Sequence, residues 1–125
     1  MTGQNFVPRV VWTEIPTADP AAAAAFYCAV LEAPFERKPM GGEEPSWYLP
    51  YADGQPSMNF KKGTPANGTG PVVHFSVPDA VAAAERARTA GGRVLRGPID
   101  IPNGRMIYLD DPEGNPFSVF QTTSA

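Results

Sequence analysis

One stretch of this sequence is written twice. Val10-Val11-Trp12-Thr13-Glu14-Ile15-Pro16 leads to Asp19-Pro20 and an alanine-rich run that ends at Leu31. Val72-Val73-His74-Phe75-Ser76-Val77-Pro78 leads to Asp79 and a second alanine-rich run that ends at Ala90. Internal repetition limits the chain to folds that use one supersecondary unit more than once. Each copy reads as a strand, a helix start signal and a helix.

The helix assignments have physical reasons. Asp19 can cap the first helix, with Pro20 at the first helical position, where its missing N–H costs nothing. Ala21 to Ala25 have the highest helix propensity of any residue type. Phe26 and Val30 are four apart, as are Tyr27 and Leu31, so they form an apolar stripe. In the second copy Asp79 caps, Val81, Ala84 and Ala87 share a face, and Glu85, Arg86 and Arg88 stay in water. Gly91-Gly92 ends that helix, because glycine takes the left-handed cap conformation without strain.

Three short strands are predicted after each helix: Pro34–Arg37, Ser46–Pro50 and Ser57–Lys61, then Arg93–Arg96, Arg105–Asp110 and Pro116–Gln121. Gly41-Gly42, Asp53-Gly54, Asn103-Gly104 and Glu113-Gly114-Asn115 punctuate them as turns. The stretch Gly63–Gly70 has no apolar periodicity and reads as a linker. The expectation is an α+β fold in residues 1–125: a βαβββ module over 8–62 and a second over 71–122.

Composition narrows the function classes. In 125 residues the net charge is −3, and Lys61-Lys62 is the longest basic run. That leaves no electrostatic footprint for nucleic acid or for a membrane surface. No apolar stretch approaches the ~20 residues of a membrane span, and no signal peptide is visible at the N-terminus. Cys28 is the one cysteine, so neither an internal disulfide nor a Cys-rich metal site can form. Its place inside the first helix suggests a buried, inert thiol. A cytoplasmic location is expected.

Trp12-Thr13-Glu14-Ile15-Pro16, Asp19-Pro20, Ala25-Phe26-Tyr27 and Val30-Leu31 together resemble the opening module of the glyoxalase / bleomycin resistance / extradiol dioxygenase proteins, the vicinal oxygen chelate superfamily. Asp111-Pro112-Glu113-Gly114-Asn115-Pro116-Phe117 resembles the turn and last strand of their closing module. The resemblance runs from about Val10 to Gln121. It implies two βαβββ units whose sheets curl into an open cup, a homodimer, and ligands held in the cup, usually on a divalent metal. Family members include lyases, isomerases, dioxygenases and proteins that sequester antibiotics, so fold alone does not give function.

The metal positions that the resemblance implies fall on Trp12, Val72, Ser118 and either Met58 or Asn59, which form a poor donor set. No metal and no other cofactor is therefore expected. Overlaying the two copies directly pairs Trp12 with His74 instead of Val72. Strand side chains alternate, so both alignments point Trp12, Glu14, Val72 and His74 into the cup. Val11, Thr13, Ile15, Val73, Phe75 and Val77 then point toward the helices.

Glu14 and His74 are the candidate catalytic residues, sharing acid–base work on an oxygenated small molecule. The structural alternatives are a carboxylate paired with an arginine and a histidine held by a backbone carbonyl. Trp12, Trp47, Tyr48, Phe60, Ser118 and Phe120 are the candidate ligand-binding residues, an apolar lining for a flat ligand. The alternative is that these rings only fill a cup without a metal. Asp110, Asp111 and Glu113 read as turn-forming carboxylates rather than a site. Two functions stand side by side: a lyase or isomerase, and a binding protein for an aromatic or antibiotic-like compound. A metal-dependent enzyme with an unusual ligand set is a third.

Overall fold

The computed structural model describes residues 6–39 and 45–122. Strand β1 (Trp12–Thr17) precedes helix α1 (Pro20–Leu31) and strands β2 (Glu36–Pro39), β3 (Pro45–Tyr48) and β4 (Ser57–Lys62). The order then repeats with β5 (Val73–Ser76), α2 (Ala80–Thr89), β6 (Arg93–Ile101), β7 (Gly104–Asp110) and β8 (Pro116–Thr122). The strands form two mixed sheets, ordered β1-β4-β3-β2 and β5-β8-β7-β6. In each, the first strand lies parallel to the last and the rest is antiparallel. This is an α+β fold of two tandem βαβββ modules, as the repeat predicts.

Both helices start as read. The Asp19 carboxylate accepts from the Ala22 N–H, and Asp79 accepts from Ala82 in the same way. These bonds satisfy backbone donors that a helix start leaves free. Four local expectations differ. Val81 is exposed, and α2 buries Ala80, Ala83, Ala84 and Ala87 instead. Small side chains let α2 lie close to its sheet and to α1. Val10 and Val11 precede β1 and are exposed, so Val11 does not face a helix. Cys28 is half-buried. Strand β6 runs past Arg96 to Ile101, with register shifts on either side of Arg96 that accommodate Pro98, a residue that cannot donate to the ladder. The Gly41-Gly42 turn lies outside the described residues.

The core is shared between the modules. Helix α1 packs against α2, and its fully buried Tyr27 touches Phe60 of the first sheet and Phe75 and Phe117 of the second. The Tyr27 hydroxyl donates to Asp111 Oδ2 at 2.8 Å. Asp111 Oδ1 accepts from the Glu113 and Asn115 N–H groups, which shapes the turn between β7 and β8. That turn grips the other module. Asn115 Nδ2 donates to the Pro16 carbonyl, the Ala66 N–H donates to Asn115 Oδ1, and the Ala18 N–H donates to the Glu113 carboxylate. Asp111 shapes a turn, as read, and that turn also clasps the two modules together, whereas Asp110 ends β7 and pairs with Arg93 instead of forming the turn.

Candidate functional site

Alternation along β1 sends Ile15 and Thr17 into the core and Glu14 to the opposite face, where it is exposed. Strand register carries that face across the first sheet. Glu14 pairs with Asn59, Asn59 with Tyr48, and Tyr48 with Glu36, so four side chains form one row across four strands. The second sheet carries a matching row. His74 pairs with Ser118, Ser118 with Tyr108, and Tyr108 with Arg96. Each row has its tyrosine on the third of its four strands. The ends differ in charge, with Glu14 and Glu36 in the first row and His74 and Arg96 in the second.

The first row is tightly bonded at its middle. Trp12, half-buried and two residues before Glu14, donates from Nε1 to Asn59 Oδ1 at 2.6 Å. Asn59 Nδ2 in turn donates to the Phe60 carbonyl. Tyr51 meets the Trp12 ring edge-on at 5.2 Å and also approaches Tyr48. The Tyr48 hydroxyl donates to Glu36 Oε1 at 2.8 Å, and that bond holds the phenol above its ordinary pKa. Lys38 Nζ sits 4.8 Å from the same ring.

In the second row, His74 Nδ1 and Ser118 Oγ are 2.9 Å apart. Ser118 is fully buried and His74 is exposed. The imidazole meets Tyr108 edge-on at 5.7 Å, and the Arg96 guanidinium lies over that ring at 5.2 Å. Phe120 lies two residues beyond Ser118 and pairs with Met106. Its ring covers Gly104, where a Cβ would come within 2.6 Å of it.

Two predicted lining residues lie elsewhere. Phe60 pairs with Ile15 and stacks on Phe35 in the core. Trp47 packs against the same core. Both stand one residue out of phase with the rows, because successive strand side chains face opposite ways. Trp12, Tyr48, Ser118 and Phe120 do share the faces of the two rows. The reading missed Asn59 as the partner of Trp12, and it missed Tyr51, Tyr108 and Arg96. Overlaying the third strands of the two copies would have suggested Tyr108 as the counterpart of Tyr48.

Between the modules runs a cleft of about 420 Å3. The free edge of β5, from Val73 to Ser76, forms one wall, and Thr13, Leu31, Leu49 and Met58 stand opposite. His74 lines this cleft and Glu14 does not, since Glu14 points from β1 to the other side of its sheet. No hydrogen bond links the two among the described residues. The volume falls in the range of small-molecule sites.

The donor set does not fit a divalent metal, which calls for three or four N, O or S ligands. Among the described residues, no group of three or more His, Cys, Asp or Glu side chains is placed to hold one. The Asn59 oxygen already accepts from Trp12, and the Ser118 hydroxyl is engaged by His74.

The family model for the glyoxalase-like domain matches residues 11–120. The chain belongs to the glyoxalase-like family. This chain is 34% identical over 118 residues to the protein CFP32 of Mycobacterium tuberculosis, covering 94% of this chain and 45% of that protein. It is 37% identical over 122 residues to the anthracycline biosynthesis protein DauV of Streptomyces sp. strain C5, covering 93% of this chain and 42% of DauV. The chain thus spans less than half the length of the curated relatives it matches.

Solved structures share the fold. A glyoxalase/bleomycin resistance protein/dioxygenase family enzyme from Burkholderia phytofirmans superposes with a TM-score of 0.68 at 20% identity, over 90% of this chain and 97% of its own. TnmS3, an antibiotic binding protein from Streptomyces sp. CB03234, superposes with a TM-score of 0.67 at 21% identity, over 94% of this chain and 98% of its own. No helix among the described residues is long and apolar enough to cross a membrane.

Proposed function

We propose that this protein binds a flat aromatic small molecule without a metal, on the sheet faces that carry the aromatic side chains of the rows. One observation carries this reading. Trp12, Tyr48, Tyr108 and Phe120 stand on sheet faces whose polar atoms are bonded to one another instead of converging on a metal. Large rings with a few placed polar groups suit a flat ligand. The antibiotic-binding TnmS3 and the anthracycline-pathway DauV add support by similarity. The site belongs to a cytoplasmic protein on this reading, with no nucleic acid or membrane as partner.

The test is a calorimetric titration with a panel of polycyclic aromatics, such as anthraquinones. Trp12→Ala should weaken binding about 3- to 10-fold, the effect of losing one aromatic contact. Trp47→Phe, a change in the core, should leave affinity unchanged. A panel in which nothing binds, or equal affinity in Trp12→Ala, would reject the reading.

A second reading is a lyase or isomerase in which exposed Glu14 takes a proton beside a carbonyl. Glu14 makes no ion pair or hydrogen bond among the described residues, so its carboxylate is free to act. Turnover of a bound compound that Glu14→Gln abolishes would select this reading over simple binding.

The protein also acts as a homodimer in this proposal. Strands β2 and β6 each pair on one side only, and open edges invite a partner. Exposed Val10, Val11 and Leu95 add apolar surface. Light scattering at tens of micromolar should give twice the 13.4 kDa chain mass. A mass of one chain would count against the dimer.

A further inference from the structure

We propose that the row His74–Ser118–Tyr108–Arg96 is an oxyanion-binding site, which takes the carboxylate or ionised phenol of a flat aromatic ligand. The inference rests on the binding function proposed above and names the chemistry of the ligand's polar end.

The hydrogen-bond pattern fixes what His74 offers. Ser118 is fully buried, and the imidazole Nδ1 is the partner of its hydroxyl. A buried O–H left without an acceptor is costly. The serine therefore donates to Nδ1 when the ring is neutral, and the ring's own proton sits on Nε2. When the ring is cationic, Nδ1 donates to the serine and Nε2 still carries a proton. In both states His74 presents an N–H donor at Nε2 toward the exposed face. A bare nitrogen, which a general base needs, is turned inward against Ser118. This assigns His74 to binding rather than to proton abstraction.

Arg96 supplies the charge. Arg86, Arg88, Arg93 and Arg105 each pair with a carboxylate. Arg96, like Arg9 and Arg37, makes no ion pair among the described residues, and it lies on the Tyr108 ring. Stacking on an aromatic face holds a guanidinium in place and leaves its N–H fork free for an oxyanion. Its neighbours across the sheet are a tyrosine, a serine and a histidine, none of which is an anion. The first module shows that the fold does not impose this polarity, since its row ends in Glu14 and Glu36. An anionic ligand is repelled there and accepted on the second module. The Tyr108 ring and nearby Phe120 give the ligand's flat body a surface beside the donors.

The probe pair is 2-naphthoate and 2-naphthamide, which match in shape and differ in charge. Calorimetry on the full chain should find the carboxylate bound on the order of tenfold tighter, as expected for one charged hydrogen-bonded contact. Arg96→Gln should bring the two within about twofold by weakening only the carboxylate. Arg105→Gln should keep the preference, because that guanidinium is already bonded to Asp100. Nitrogen-detected NMR of the neutral His74 ring should show its proton on Nε2. Equal binding of the two probes, an undiminished preference in Arg96→Gln, or the proton on Nδ1 would overturn the oxyanion site and leave the aromatic-binding function standing. Failure of both probes to bind would remove both.

Discussion

Tyr27→Ala should cost about 3–5 kcal/mol of folding stability, the range for removing a large buried aromatic. The side chain is fully buried and touches rings from both sheets, with centroids 5.0 Å from Phe117, 5.3 Å from Phe60 and 5.6 Å from Phe75. Its loss opens a cavity where the two modules meet, so both should loosen together. Tyr27→Phe keeps the ring and removes only the bond to Asp111 Oδ2. That variant should lose about 1–3 kcal/mol, the penalty for an unpaired buried acceptor. Urea unfolding at neutral pH measures both. A loss below about 1 kcal/mol in Tyr27→Ala would show that the modules do not depend on this wedge.

The same tyrosine sets an alkaline limit. Burial, and then the charge of Asp111, raise its phenol pKa well above the ordinary value. A group with a raised folded pKa contributes stability that is fully present below its unfolded pKa, here about 10. The contribution is lost as pH climbs from there toward the folded pKa. Wild type should therefore lose stability more steeply than Tyr27→Phe above about pH 10. Parallel curves for the two proteins would contradict the buried phenol–carboxylate pair.

Asp111→Ala should destabilise by a similar amount, about 3–5 kcal/mol, as when one member of a buried charged network is removed. Three donors lose their acceptor: the Tyr27 hydroxyl and the Glu113 and Asn115 N–H groups. The turn they shape also holds Pro16, Ala18 and Ala66. A local effect should accompany the global one, with amide exchange rising at Ala66 and Gly68, which bond to Asn115 and Gly114. Asp111→Asn keeps an acceptor for the turn and should lose only about 1–2 kcal/mol. Unchanged exchange at Ala66 in Asp111→Ala would mean that the turn keeps its shape without the carboxylate.

Much of the fold was legible because it is written in local chemistry. Asp19 and Asp79 cap helices through their own side chains, and Gly91 ends α2 at a positive φ of 102°. Those signals act within a few residues. The repeat then dictated two similar modules. Phase along β1 put Trp12 and Glu14 on the face opposite Ile15 and Thr17. The lining failed at Phe60 and Trp47 because an aromatic residue in a strand suits either face. Only pairing with Ile15 shows that Phe60 belongs to the core.

The sequence by itself determined the element order, the two caps, the family resemblance and the poor donor set for a metal. All of these rest on residue type and short-range spacing. Tertiary structure decided which side chains meet across strands and between modules. Arg96 reaches Tyr108 only through a hairpin with shifted register, and His74 meets Ser118 across 44 residues of chain. Asp111 meets Tyr27 across 84. Such contacts depend on strand pairing and on how two modules share one core. A one-residue change of register turns every side chain to the opposite face, so no local pattern can specify them.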